Sequence, residues 1–365
     1  MKLAVVLGTR PQLIKWSPMR RALARRDIET FVLDTGQHYD RRLWSDLLEE
    51  LSIPAPEFNC AVGSATHGAQ TGRMLEAIEG VLLEQRPDRV LVFGDTNSTL
   101  AGALAAAKLR IPVSHVEAGL RSADRYMPEE INRVLVDRLS DQLFAPTEIA
   151  GSRLAEEGID ERSIHVVGDV MLDAVREHCP DAEEARQRVE ALCGGALQRP
   201  LLFVTVHRAE NTEAAPLRRI AHAVAALAAD FEVLWPLHPR TEAALAAGEE
   251  LNALRERIHL LGPCSYLDSL ALVRRAQTVI TDSGGLQKEA FFLERPTVTL
   301  REATEWRELV ESGWNRLVPA DEGLEGRLRE ALQRTGDLEH DAGLFGDGRA
   351  AQRIADHIAA GDVRT

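Results

Sequence analysis

The chain has 365 residues, with 57 acidic against 43 basic side chains and a formal charge of −14. That balance argues against nucleic acid or an anionic membrane as the main partner, since both need a basic footprint. The length exceeds one ordinary core and suits two α/β domains of roughly 170 residues each, while 45% hydrophobic and 27% charged residues describe a soluble globular protein.

No apolar run approaches the ~18 residues of a membrane span. The start, Met1-Lys2-Leu3-Ala4-Val5-Val6, leads straight into a strand without a cleavage pattern, so the expected location is cytoplasmic. Strand and helix then alternate. Lys2 to Leu7 is a predicted strand ending in Gly8-Thr9-Arg10-Pro11, Leu13 to Arg26 a helix, Thr30 to Asp34 a strand and Thr66 to Gln85 a long helix. Arg10 and Lys15 supply the cations that a phosphate or sugar needs. Solvated surface charge is the plainer reading, weakened because Arg10 sits where a strand ends.

The stretch from Arg89 to Arg133 carries the most chemistry. The apolar run Val90 to Phe93 ends in Gly94-Asp95-Thr96-Asn97-Ser98-Thr99 and then a helix, Ala101 to Leu109; a short strand, Pro112 to Val116, ends in Glu117-Ala118-Gly119-Leu120-Arg121. Met127-Pro128-Glu129-Glu130-Ile131-Asn132-Arg133 sets Pro at a helix start with acids in the first turn. Asp95 and Glu117 are therefore expected at the carboxyl ends of adjacent parallel strands, where open α/β sheets bind their ligands. Glu129 joins them from the next helix. Gln142 to Ala145 and Ile164 to Val167 complete a sheet of about six to seven strands, and the pattern loosens between Val170 and Pro200, where the domain boundary is expected.

The second half restarts with strands at Leu201 to Val206, Glu232 to Pro236, Ile258 to Leu261, Thr278 to Thr281, Thr297 to Leu300 and Arg316 to Val318, and a helix at Pro216 to Ala229. Asp282-Ser283-Gly284-Gly285 follows one strand and opens a helix carrying Glu289. Small residues let a backbone approach a diphosphate, although an ordinary Gly-containing turn reads equally well on spacing alone. His207-Arg208-Ala209-Glu210 and Leu237-His238-Pro239-Arg240 also end strands. A lone His is usually structural; two at strand ends bring the functional reading level with that. Gln37-His38 is a weaker instance. Cys60, Cys179, Cys193 and Cys264 are scattered and read as free packed thiols, with no metal-ligand spacing. Neither GxGxxG nor GxxxxGK[ST] occurs, so no cofactor is expected. The fold class is α/β, two Rossmann-like doubly wound domains facing a cleft: residues 1–170, joined by a C-terminal helix at 350–365, and residues 171–349. Carboxylates on one wall and a diphosphate cradle on the other suit nucleoside-diphosphate-sugar chemistry.

At Gly8-Thr9-Arg10-Pro11, Gly94-Asp95-Thr96, His115-Val116-Glu117-Ala118-Gly119-Leu120-Arg121, Pro128-Glu129-Glu130-Ile131-Asn132-Arg133, His207-Arg208-Ala209-Glu210-Asn211 and Thr281-Asp282-Ser283-Gly284-Gly285 the sequence closely resembles the non-hydrolysing UDP-N-acetylglucosamine 2-epimerase family. The pieces keep family order over nearly the whole chain. The resemblance implies GT-B architecture, a homodimer and a UDP-amino sugar substrate. It assigns Asp95, Glu117, Glu129 and His207 to catalysis, Arg10, Lys15 and Arg133 to the sugar and phosphates, and Ser283, Gly284, Gly285 and Glu289 to UDP. Gln37, His38, Arg208, Glu210 and His238 match a regulatory site, whose Arg-Gln pair falls here at Ser64 and Ala65; an aromatic often found near uracil falls at Ser269. Thr35-Gly36-Gln37-His38, Thr66-His67-Gly68, Gly94-Asp95-Thr96-Asn97-Ser98-Thr99 and Gln287-Lys288-Glu289-Ala290-Phe291-Phe292 resemble the branch that includes UDP-2,3-diacetamido-2,3-dideoxyglucuronate 2-epimerases. A GT-B glycosyltransferase is the alternative, but it gives no reason for clustered acids.

Overall fold

The structure, a computed structural model, describes residues 1–37, 41–122, 124–248, 250–333, 338 and 340–361. It divides into one unit of Met1–Glu177 with Ala342–Thr365 and a second of His178–Asp341.

The first unit is built on a seven-stranded parallel sheet: β1 (Lys2–Leu7), β2 (Glu29–Asp34), β3 (Phe58–Asn59), β4 (Arg89–Phe93), β5 (Val113–Val116), β6 (Gln142–Ala145) and β7 (Ile164–Val166), in the order β3-β2-β1-β4-β5-β6-β7. Helices cover both faces, which is why β1 and β4 are almost continuous apolar runs rather than alternating ones. On one face Ala4, Val6, Val90 and Val92 pack with Met74, Ile78 and Leu82 of the helix His67–Gln85 and with Ala101 and Ala105 of the helix Asn97–Lys108. Gly102 brings that second helix against β1, since a Cβ there would lie 3.1 Å from Val6. The order reverses between β1 and β4, and this switch point opens a crevice at the carboxyl ends of the strands.

Two helices begin earlier than their apolar periodicity predicts. One runs Arg10–Ala24 and the other Asn97–Lys108, because Thr9 with Gln12 and Thr96 with Thr99 form capping boxes that turn polar residues into the first helical turn. A helix at Arg41–Glu50 and the two-residue β3 were not predicted.

The chain passes between the units at Glu177/His178 and at Asp341/Ala342. Residues 171–177 and 342–349, assigned to the second domain from sequence, thus pack with the first unit. The Phe345 carbonyl accepts the Asp169 N–H at 2.9 Å. Asp173 accepts the N–H groups of Ala350 and Ala351, at 3.1 and 2.9 Å, capping the final helix Ala350–Ala360, which packs on the helix Arg10–Ala24.

The second unit repeats the plan with six parallel strands: β8 (Leu201–Thr205), β9 (Glu232–Pro236), β10 (His259–Leu261), β11 (Thr278–Thr281), β12 (Thr297–Thr299) and β13 (Asn315–Leu317), ordered β10-β9-β8-β11-β12-β13. Leu202, Val204 and Ile280 pack on Ile220, Val224 and Leu227, while Phe203 and Val279 face Leu272, Leu286 and Ala290. Its switch point lies between β8 and β11. No described helix is long and apolar enough to cross a membrane.

Candidate active site

In the first unit β4 and β5 are hydrogen-bonded neighbours, with Phe93 opposite Val116, so Asp95 and Glu117 emerge side by side. Gly94 has φ +65°, and a Cβ there would press to 3.3 Å from the Glu117 carboxylate, so both backbone and space require glycine. Glu117 itself holds φ +71°. That left-handed conformation costs a residue with a side chain roughly 1–3 kcal/mol, and such strain gathers at functional sites. The turn brings its carboxylate onto the Lys15 ammonium; the two side chains are only 12% and 7% exposed.

Asp95 accepts from Arg133 Nη2 at 2.6 Å, and the same guanidinium reaches Glu130 through Nη1 at 3.1 Å. Asn132 donates to the Asp95 carbonyl at 2.9 Å. Burial raises the Asp95 pKa; Arg133 opposes that, Glu117 adds to it, Lys15 opposes and Glu129 adds, with a net rise. The charges of Glu117 and Glu129 thus act on the Asp95 proton. Such coupling splits a carboxylate set into a proton holder and an ionised base. Arg10 opens the helix beside the end of β1.

Gln12 belongs to this crevice although sequence reasoning passed over it. Its Oε1 accepts from the N–H groups of Gly8 and Thr9, at 2.8 and 3.1 Å, and its Nε2 donates to the Phe93 carbonyl at 2.8 Å and to Thr99 Oγ1 at 3.0 Å. It staples the loops after β1 and β4 across the switch point. The signal was the Thr9-to-Gln12 capping-box spacing.

In the second unit Asp282, fully buried after β11, gathers the loop after β8. Its carboxylate accepts the N–H groups of His207 and Arg208, both at 3.0 Å, and the Asn211 amide at 3.1 Å. Asp282 Oδ1 also lies 3.1 Å from His207 Nδ1, while the His207 side chain is 44% exposed. A carboxylate on Nδ1 fixes the ring and its tautomer, leaving Nε2 for a ligand. Asp282 was quoted within a motif but not singled out; its partner lies 75 residues away. Ser283 caps the helix Gly284–Phe292, its hydroxyl accepting from the Leu286 N–H at 3.4 Å. The Gly284 carbonyl accepts from Trp306 Nε1 at 3.0 Å. A Cβ at Gly284 would stand 2.2 Å from Glu305 Oε1, whereas Gly285 borders open space. The first turn suits an anion, and Glu289 follows in the same helix, 7% exposed.

Of the proposed regulatory residues, Gln37 accepts from Ser98 N–H and Oγ, at 3.0 and 2.6 Å, in the first unit. His38 lies outside the described residues. Arg208 Nε donates to the Asp282 carbonyl at 3.0 Å, and Glu210 is exposed beside it. The His238 ring lies 6.3 Å from that of His207, and burial, then His207 and Arg240, lower its pKa. Among the described residues no group of three His, Cys, Asp or Glu side chains is placed to hold a metal ion.

A family profile described as UDP-N-acetylglucosamine 2-epimerase matches residues 21–359. The UDP-2,3-diacetamido-2,3-dideoxy-D-glucuronate 2-epimerase of Pseudomonas aeruginosa is 42% identical, covering 98% of this chain and 99% of its own. The UDP-N-acetylglucosamine 2-epimerase of Methanocaldococcus jannaschii is 43% identical over 97% and 98% of the two chains. A crystal structure of the latter with UDP-N-acetylglucosamine and UDP superposes with a TM-score of 0.88, covering 99% of this chain and all of that one.

Proposed function

The chain belongs to the UDP-N-acetylglucosamine 2-epimerase family, and from that premise we propose that it interconverts UDP-N-acetylglucosamine and UDP-N-acetylmannosamine by eliminating UDP to a 2-acetamidoglucal and adding it back. Carbon 2 of the sugar has no acidic proton and no neighbouring carbonyl. Departure of UDP gives the ring oxocarbenium character that acidifies this proton. A carboxylate then removes it, and reprotonation from the opposite face with return of UDP gives the manno epimer.

The observation that carries this reading is the emergence of Asp95 and Glu117 from neighbouring strand ends, each paired with a cation, Arg133 and Lys15. Inversion needs acid and base groups on both faces of the sugar, and each is worth about 10²–10⁴-fold in rate. His207, oriented by Asp282, assists departure of UDP. The Ser283-Gly284-Gly285 helix start, with Arg10, binds the diphosphate more tightly as its charge grows. Glu289 accepts hydrogen bonds from ribose.

A second reading, the same chemistry on UDP-2,3-diacetamido-2,3-dideoxyglucuronate, is supported by the relative that carries that name. Incubation with each UDP-sugar, followed by NMR of the anomeric proton, decides between them. A new anomeric signal from UDP-N-acetylglucosamine supports the first substrate; turnover of the uronate alone replaces it with the second, and product that forms only when an acceptor is added would sink both. A homodimer is part of the proposal, supported by Ile131, Val134 and Leu135, which are 46%, 39% and 45% exposed on one helix; sedimentation at monomer mass would refute it. Four free cysteines support a cytoplasmic setting.

A further inference from the structure

Among the described histidines, His115 alone has no exposed surface. It lies in β5, two residues before Glu117, and its ring sits between two acceptors. Nε2 is 2.7 Å from the Gly94 carbonyl oxygen and Nδ1 is 2.7 Å from Asp137 Oδ1. A carbonyl only accepts, so Nε2 carries a hydrogen. Asp137 is ionised because the Arg121 guanidinium, which is cationic whatever the state of His115, pairs directly with its carboxylate. Its other oxygen accepts from Arg121 Nη1 at 2.7 Å and from the Gly119 N–H at 3.2 Å. Oδ1 therefore accepts too, and Nδ1 must carry the second hydrogen.

We propose that His115 is a doubly protonated positioning residue, an imidazolium that clamps the ends of β4 and β5 and thereby fixes the spacing of Asp95 and Glu117. The Gly94 carbonyl belongs to the peptide that enters Asp95. Asp137, reaching in from the helix Pro128–Leu139, holds Gly119 on the far side of the strained Glu117 turn. The turn is thus gripped on both flanks by one pair of ions. The charges facing the ring alternate along a chain that runs from the buried His115 and Asp137 through Arg121 to the partly exposed Glu157, the last pair bidentate at 2.7 and 2.6 Å. This alternation makes a buried cation tolerable. A neutral ring carries a single N–H and leaves one of the two buried acceptors unpaired.

The positioning role rests on the epimerase reading above; the protonation state does not. ¹⁵N NMR of the wild-type histidine side chains tests the state. The slowly exchanging ring should show two protonated nitrogens, each hydrogen-bonded. A resonance of an unprotonated ring nitrogen from the buried histidine overturns the proposal. His115→Gln tests the role: kcat should fall on the order of 100-fold with KM and UDP affinity within about twofold of wild type. Wild-type kcat in that variant overturns the role whatever the NMR finds. If His115→Gln does not fold, Asp137→Asn is measured by the same split and read the same way. A wild-type protein that turns over neither UDP-sugar, yet shows the imidazolium, refutes the epimerase reading and leaves the protonation state standing.

Discussion

At the first switch point, between β1 and β4, the crevice is lined by charged side chains: Lys15 against Glu117 and Arg133 against Asp95, set on a turn held at a left-handed φ. At the second, between β8 and β11, it is lined by a helix start, small residues and one imidazole steered by a buried carboxylate. Topology is the same in both units, so the sheet only supplies the location. In the proposed reaction the side chains loaded onto it divide the labour, proton transfer in the first unit and, with Arg10 assisting from the first, diphosphate holding and release in the second.

That division can be broken one side at a time. Glu117→Gln should lower kcat by about 10³-fold, within the range of a lost acid or base, while calorimetry finds UDP binding unchanged; loss of UDP binding in this variant would erase the distinction. Asp282→Asn frees the His207 ring and should cost on the order of 10²-fold in kcat. Activity close to wild type would show that the carboxylate only ties the loop. Gly284→Ala must displace Glu305, which Arg301 holds at 3.0 Å, and should weaken UDP about tenfold with little change in kcat at saturation.

The smallest effect on activity lies outside both crevices and concerns the final helix. Burial raises the pKa of Asp173 from 3.8 to about 6, so its native form holds its proton longer than the unfolded chain does. The stability from that proton is fully present below pH 3.8 and is lost as pH rises through about 6, a change of roughly 3 kcal/mol. His165, stacked on His357 with ring centroids 4.0 Å apart, is pushed down from 6.5 to about 4, first by burial. Its contribution runs the other way, present above pH 6.5 and lost as pH falls toward 4. Melting curves across this window should tilt in opposite senses in Asp173→Asn and His165→Phe, with kcat at neutral pH unchanged in both. Parallel tilts would refute the assignment.

Much of this was legible in the sequence because buried parallel strands read as apolar runs: Lys2–Leu7, Gln142–Ala145, Glu232–Pro236 and Thr278–Thr281 have the predicted bounds. The side-by-side emergence of Asp95 and Glu117 followed from strand ends alone. Helix starts were harder, since Arg10 to Gln12 and Asn97 to Thr99 are polar and reveal their place only through caps. Arg41–Glu50 was missed although Leu47 and Leu51 stand four apart, both buried. The crossing near residue 177 was obscured because Cys193-Gly194-Gly195 looks like a linker but ends a helix inside the second unit. Pairings such as His115 with Asp137 and His207 with Asp282 join residues far apart in the chain, and local pattern carries no record of them.

The proposed reaction requires that carbon 2 lose and regain its proton without redox chemistry. Incubating the protein with UDP-N-acetylglucosamine in D₂O, and with the diacetamido uronate beside it, tests that most directly by NMR of the proton on carbon 2. Elimination and re-addition of UDP should give the manno epimer of one of them with deuterium at carbon 2 and no acceptor required. An epimer that keeps its original hydrogen at carbon 2, or two substrates recovered unexchanged from a folded protein, would contradict it.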